Sequence, residues 1–155
     1  MQASKTIFLD LDGVLHPTSA RSDDLFSQVD LLIEPVTSFQ PDIVVSSSWR
    51  FHFSPAEIVA RLPVEVRSCV TGFTCDVYVG RHARWNEIQA YCRLHKVSDW
   101  VALDDAALEF PTPCPQLIQC NPNTVLQKKQ VNALVAWLGD TNVMTVSTHE
   151  KARPA

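Results

Sequence analysis

The chain has 155 residues, of which 46% are hydrophobic and 19% charged, and its formal net charge is −4. The length and composition are typical of one ordinary globular domain. The negative net charge gives no overall attraction to nucleic acid, although a local basic patch is compatible with it. No apolar run is long enough to span a bilayer, and the N-terminal residues do not resemble a signal peptide. The five cysteines form no C-x-x-C pair, so we expect reduced thiols, mostly in the core of a cytoplasmic protein with no membrane partner.

The first strong pattern is the run from Thr6 to Leu9, which is short and apolar or β-branched and therefore predicts a buried strand. Asp10 and Asp12 follow it, and Gly13 allows the chain to turn. Residues i and i+2 of a strand point to the same side, so both carboxylates are expected to face one site. Carboxylates this close repel each other unless a cation lies between them, and their oxygens are ligands that suit Mg²⁺. The simpler alternative is an acidic turn after a strand.

Further elements follow in chain order. Buried strands are predicted at residues 43–45 and 100–103, and a last short strand at residues 117–120. Helices are predicted from proline positions, a capping box and apolar spacing: one opened by Pro35, then residues 55–62, 81–95 and 124–138. A short strand at residues 66–70 and a loop over residues 71–80 are expected between them. Residues 1–139 are predicted to form one domain, and residues 140–155 a loose tail.

Short strands that alternate with helices predict an α/β fold, in which a Rossmann-like parallel sheet carries helices on both faces in three layers. Ligands of such sheets bind outside the carboxyl ends of the strands. Three predicted strands end in polar residues at that edge, and these are the pairs Asp10 and Asp12, Ser46 and Ser47, and Asp104 and Asp105. This coincidence predicts one site at the carboxyl edge of the sheet.

The residue types at this edge suit phosphate chemistry. Asp10, Asp12 and one of Asp104 and Asp105 are expected to hold Mg²⁺, which recruits substrate phosphate. A serine hydroxyl at a strand end can hold phosphate oxygens, and Arg84 or Arg81 can offset the negative charge. One aspartate can then attack phosphorus while the other carries a proton. Taken singly, the serines suit a turn, the aspartates a cap and the arginines a solvated helix face.

The motifs in this order resemble those of the haloacid dehalogenase (HAD) superfamily of aspartate-nucleophile phosphotransferases. The stretch Asp10-Leu11-Asp12-Gly13-Val14-Leu15 is similar to the first motif of the family. The resemblance implies that Asp10 is the nucleophile and Asp12 the acid and base.

The later motifs are matched in turn. Ser46 or Ser47 resembles the phosphate-binding residue of the second motif, and Asp104-Asp105 resembles the acidic fourth motif. The basic third motif is usually a lysine, which is absent here; Arg84 fits that place best and Arg81 is the second choice.

The details around these motifs look closest to a small bacterial subgroup that includes a phosphatase-like domain of multidomain RNA-repair proteins. The segments after the first and second motifs are too short for a separate cap domain, which implies an open site. The implied function is Mg²⁺-dependent hydrolysis of phosphomonoesters through an aspartyl-phosphate. The substrate would be a small phosphorylated molecule or a nucleic-acid end, and the alternative is a module that binds a phosphorylated ligand without catalysis.

Action on nucleic-acid ends would benefit from a basic and aromatic rim around the site. The sequence offers eight residues for it, namely His16, Arg21, Trp49, Arg50, His52, Arg81, His82 and Arg84. The alternative is that Trp49 packs in the core and the charged residues are solvated.

Overall fold

The computed structural model describes residues 4–75 and 77–140, which are built around a five-stranded parallel sheet. The strands are β1 (Thr6–Leu9), β2 (Asp42–Val45), β3 (Val70–Phe73), β4 (Trp100–Asp104) and β5 (Leu117–Gln119). The helices are α1 (Ile33–Phe39), α2 (Pro55–Val59), α3 (Val64–Arg67), α4 (Ala83–His95) and α5 (Lys128–Gly139). Short 3₁₀ turns lie at Ser22–Asp24, Val29–Leu32, Ser48–Phe51 and Ala107–Glu109.

The alternation of side chains along the central strands divides the core between the two faces of the sheet. Ile7 and Leu9 of β1 belong to a cluster that includes buried residues of α1, α2, α3 and α5. Phe8, between them, points to the other face and packs with Ile88 and Cys92 of α4. Each fully buried side chain of this size contributes about 1.5–3 kcal/mol. The predicted three-layer α/β architecture is confirmed.

The order of the strands across the sheet is β3-β2-β1-β4-β5. The chain therefore runs outward from β1 to β3 and then crosses back to β4, so the strand order reverses between β1 and β4. In open α/β sheets ligands bind at the carboxyl ends of the two strands that flank such a reversal. Leu9 is paired with Leu103 across this point, and the Asp10 N–H donates to the Leu103 carbonyl at 3.0 Å.

The prediction of a strand at residues 66–70 is wrong. Pro63 instead precedes α3, and the edge strand β3 begins only at Val70 and occupies part of the predicted loop. A glycine inside a strand marks a close approach, and a Cβ at Gly72 would lie 2.2 Å from the Tyr91 hydroxyl oxygen. This strand is therefore specified by its fit against α4, which local sequence does not reveal.

Several helix boundaries also differ from those predicted. The structure begins α1 at Ile33, so that Pro35 lies in its first turn, and ends α2 at Val59. His82 and Val125 both have left-handed backbone conformations, with φ of 56° each, which helices do not accept. For this reason α4 begins at Ala83, and α5 begins only at Lys128.

The segments that follow β1 and β2 hold only short helices and turns, so the described ranges 4–75 and 77–140 contain no separate cap domain. Within the same ranges no helix is long and apolar enough to cross a membrane. All five cysteines carry free thiols, and three of them are buried. The division at residue 139 stays a prediction, because residues 141–155 of the proposed tail lie outside the described residues.

Candidate active site

The alternation of side chains continues past the strand ends and places three polar residues on one face. Asp10, Ser46 and Asp104 each lie two positions beyond a residue that faces α4, namely Phe8, Val44 and Ala102. They are 5%, 1% and 1% exposed, respectively. Period-two geometry therefore directs all three toward α4, next to one another at the reversal point.

Arg84, in the first turn of α4, joins these three residues. Its Nη1 lies 2.8 Å from Asp104 Oδ2 and 3.5 Å from Asp10 Oδ1, and it also donates to the Ser46 carbonyl. Arg81 is exposed and precedes the helix. The structure thus brings Arg84 into the site and leaves Arg81 outside it.

A cluster of three carboxylates surrounds this point. Asp10, Asp104 and Asp105 each offer an oxygen within 4.8 Å of the others. Gly13 makes the cluster possible, because its φ is +77° and a Cβ there would lie 2.3 Å from Asp105 Oδ2. The glycine of the first motif therefore allows both the turn and the close approach of Asp105.

The electrostatics of the cluster favour a cation. Burial is the largest cause that raises the pKa of Asp10 well above its ordinary value, and the charge of Asp104 raises it further. Burial likewise raises the pKa of Asp104, although Arg84 opposes both shifts. Clustered, partly desolvated carboxylate oxygens fit a hard ion such as Mg²⁺ in charge and in ligand type.

The two neighbouring aspartates of the fourth motif are used differently. Asp104 accepts hydrogen bonds on both oxygens, from the Ala106 N–H at 2.9 Å and from Arg84. Within residues 4–75 and 77–140, no hydrogen bond to the Asp105 carboxylate is found. Asp104 is thus engaged in holding Arg84, whereas Asp105 keeps its oxygens for another ligand.

Asp12 lies apart from the carboxylate cluster. Its side chain is 41% exposed, and its Oδ1 lies 2.7 Å from His16 Nε2. The expected set of Asp10 and Asp12 with one fourth-motif aspartate differs from the observed set of Asp10, Asp104 and Asp105. The reason is that β1 ends at Leu9, and the following turn at Gly13 breaks the i, i+2 relation on which the expectation depended.

The serines after β2 also have distinct environments. The Ser47 hydroxyl accepts the Trp49 N–H at 3.2 Å and so caps a 3₁₀ turn. The Ser46 hydroxyl is buried and has no hydrogen-bond partner among the residues that the structure describes. Buried polar groups are rarely left unpaired, so Ser46 is the serine whose hydroxyl remains available to a ligand.

Two further residues near this edge were not predicted from the sequence. The Glu87 carboxylate lies 2.9 Å from Arg50 Nη2 and 3.8 Å from Arg84 Nε, so it forms ion pairs with both arginines. The spacing of three residues between Arg84 and Glu87 on a helix was the signal for it. Thr74 directly follows β3, and within the described part of the chain its buried hydroxyl has no hydrogen-bond partner. Thr74 was not predicted because β3 was not predicted.

The eight-residue rim does not form one exposed surface. His16 and Trp49 are buried, and Trp49 stacks on Phe53 with ring centroids 4.8 Å apart, as the packing alternative predicted. Arg50 and Arg84 are mostly buried in ion pairs. Of the other four residues, Arg21, His52 and Arg81 are exposed and His82 is half-buried.

Comparison with known proteins identifies a family. Residues 6–131 match the family described as the HAD domain in Swiss Army Knife RNA repair proteins. The matched range includes all five strands and every site residue discussed above. No curated protein matches the chain.

Proposed function

Since the chain belongs to the HAD domains of Swiss Army Knife RNA repair proteins, we propose that it is a Mg²⁺-dependent phosphomonoester hydrolase with Asp10 as its nucleophile. The observation that carries the proposal is the convergence of Asp10, Ser46, Asp104 and Arg84 at the strand reversal. A buried carboxylate, an unpaired hydroxyl and a guanidinium at one point are suited to a phosphate group.

We assign the metal to Asp10 and Asp105, whose carboxylates belong to the cluster of three. Bound Mg²⁺ would supply the positive charge that lets an anionic phosphate approach these carboxylates. Asp104 would serve mainly to hold Arg84, with which it forms a 2.8 Å ion pair. Arg84 and the Ser46 hydroxyl would hold the phosphate oxygens, which gives the unpaired hydroxyl its missing partner.

Two chemical steps follow from this assignment. In the first, a carboxylate oxygen of Asp10 bonds to phosphorus, the ester P–O bond breaks, and Asp12 gives a proton to the departing alcohol oxygen. In the second, Asp12 takes a proton from a water that attacks phosphorus, and the bond between Asp10 and phosphorus breaks. Inorganic phosphate leaves, and both aspartates return to their starting states.

The substrate class follows from the openness of the site and from the family. No cap domain covers the strand ends within residues 4–75 and 77–140, so a phosphate at the end of a large molecule has access. The family is named for RNA repair proteins, and we therefore propose phosphorylated RNA ends as the first substrates to test. A binding module without catalysis is disfavoured, because binding alone does not require an acid and base such as Asp12.

Removal of the metal provides the test. With Mg²⁺ we expect hydrolysis of p-nitrophenyl phosphate, loss of that activity in excess EDTA, and recovery when Mg²⁺ is restored in excess. Oligonucleotides with a 3′- or 5′-phosphate should be compared with small phosphate esters in the same assay. Undiminished activity in EDTA would contradict the metal assignment. Binding of these compounds without any hydrolysis would favour the non-catalytic module.

A further inference from the structure

His16 is a buried histidine between two hydrogen-bonding partners. Its ring is 1% exposed, its Nδ1 accepts the Phe26 N–H at 3.2 Å, and its Nε2 lies 2.7 Å from Asp12 Oδ1. A ring nitrogen that accepts a hydrogen bond carries no proton, so in the neutral imidazole the proton resides on Nε2. His16 therefore donates to the Asp12 carboxylate, in a tautomer that the Phe26 backbone selects.

The surroundings of His16 hold the ring in place. The Phe26 ring meets it edge-on with centroids 5.2 Å apart, and the Trp49 ring lies at 5.7 Å. Phe26 has a φ of 60°, which costs about 1–3 kcal/mol for a residue other than glycine. The Gly13 N–H also donates to the His16 carbonyl at 2.8 Å. The Phe26 N–H and the rings of Phe26 and Trp49 thus fix the orientation of the imidazole beside Asp12. The left-handed conformation of Phe26, which is costly for this residue, places its N–H at Nδ1.

We propose that His16 is a positioning residue for Asp12, an inference that rests on the proposed function, in which Asp12 transfers protons. An aspartate as exposed as Asp12 would otherwise sample several rotamers. The bond to Nε2 fixes Oδ1 and leaves Oδ2 to exchange a proton with the leaving group and with water. A misplaced acid or base loses much of its effect, because proton transfer requires hydrogen-bond geometry.

Three variants separate positioning from packing. His16→Phe keeps an aromatic ring beside Phe26 and Trp49 but removes both nitrogens. His16→Gln keeps an N–H near the place of Nε2, and His16→Asn keeps an acceptor near the place of Nδ1 but does not reach Asp12. We expect kcat for an alkyl phosphate to fall about tenfold or more in the Phe and Asn variants and to recover largely in the Gln variant, with little change in KM.

The leaving group distinguishes a positioning role from a structural one. A nitrophenol departs without a proton, so the rate of the first step, measured as single-turnover release of the leaving group, should fall less for its phosphate than for an alkyl phosphate. Thermal unfolding of each variant measures the packing loss separately. In the wild-type protein, ¹⁵N NMR of the His16 ring should show a protonated Nε2 and an unprotonated Nδ1, independently of activity.

The outcomes separate the two proposals. A wild-type protein that hydrolyses no phosphomonoester would refute the proposed function, and with it the role of His16 in proton transfer. A wild-type protein that is active, with equal losses of the first-step rate for both leaving groups or no recovery in the Gln variant, would overturn the His16 inference alone. The opposite tautomer in the NMR spectrum would overturn it as well.

Discussion

Asp10→Asn is expected to abolish phosphatase turnover while the chain stays folded. An amide cannot form the acyl-phosphate, and the loss of a nucleophile typically lowers kcat by about 10⁴–10⁶-fold. The Asn side chain has nearly the same shape, so β1 and its buried neighbours are expected to keep their packing. The check is kcat for an aryl phosphate at saturating Mg²⁺, with circular dichroism to verify the fold. A rate near that of the wild type would remove Asp10 from its role.

The same substitution is expected to raise stability when the metal is removed. Burial and the charge of Asp104 raise the pKa of Asp10 in the folded chain, so ionisation of Asp10 favours the unfolded state. The resulting cost is absent below the ordinary pKa of the unfolded chain and grows as pH rises from there toward the raised folded pKa. Asn carries no charge and avoids that cost.

We therefore expect Asp10→Asn to have a higher Tm than the wild-type protein in EDTA at neutral pH. This difference in Tm should become smaller as the pH falls. For a domain of this size, each kcal/mol corresponds to about 2–4 °C. Asp30→Asn is the matched control, because Asp30 is exposed on a 3₁₀ turn away from the cluster and should change Tm little. A lower Tm for Asp10→Asn than for the wild type under these conditions would contradict the electrostatic argument.

Arg84→Gln is expected to cause the second large loss. Arg84 is the guanidinium that contacts Asp10, Ser46 and Asp104, and it is the group we assign to the phosphate oxygens. Removal of one preorganised donor from a charged transition state typically lowers kcat by about 10²–10³-fold. The buried Asp104 carboxylate also loses its partner, and breaking such a pair typically costs about 3–5 kcal/mol.

Two further variants make the Arg84 test decisive. Arg84→Lys keeps the charge, and lysine is the usual residue of the third motif, but one ammonium group cannot bridge three partners. This variant should fold better than the Gln variant and keep more of its activity, while it stays below the wild type. Arg81→Gln removes an exposed arginine three positions away and should leave kcat within about twofold. If Arg81→Gln lost more activity than Arg84→Gln, the basic residue of the third motif would be misassigned.

Much of this site was predictable because its signals are local. The β1 strand, Asp10 and Gly13 follow from a few adjacent residues, and so does the aspartate pair after β4. The sequence around Ser46 and Ser47 did not show which hydroxyl is available to a ligand, since this depends on which hydroxyl caps the turn at Trp49. The choice of Arg84 likewise depends on how α4 lies across the strand ends.

Other features required the folded chain because they arise from long-range packing. The direction of Asp12 depends on His16 and, through it, on the Phe26 backbone. The strand β3 exists where Gly72 fits against Tyr91, although its sequence resembles a loop. In both cases a residue ten or more positions away determines the local geometry, and for this reason the strand was predicted at the wrong residues.

Capture of the covalent intermediate would show directly whether Asp10 is the nucleophile. Asp12→Asn should slow release of the phosphoryl group, because the attacking water lacks its base, while an aryl phosphate still allows the first step. Trypsin cleavage after Lys5 and Arg21 releases residues 6–21, and with Asp12 replaced the only carboxylate side chain in that peptide is Asp10. Borohydride reduces an acyl-phosphate, so reduction converts a phosphorylated Asp10 to homoserine and marks the position.

We expect this peptide to gain the mass of a phosphoryl group after acid quench and to contain homoserine at position 10 after reduction. An Asp10→Asn and Asp12→Asn double variant should show neither change. A peptide that stays unmodified while the Asp12→Asn protein still hydrolyses the aryl phosphate, or that carries its phosphoryl group on His16, would contradict Asp10 as the nucleophile.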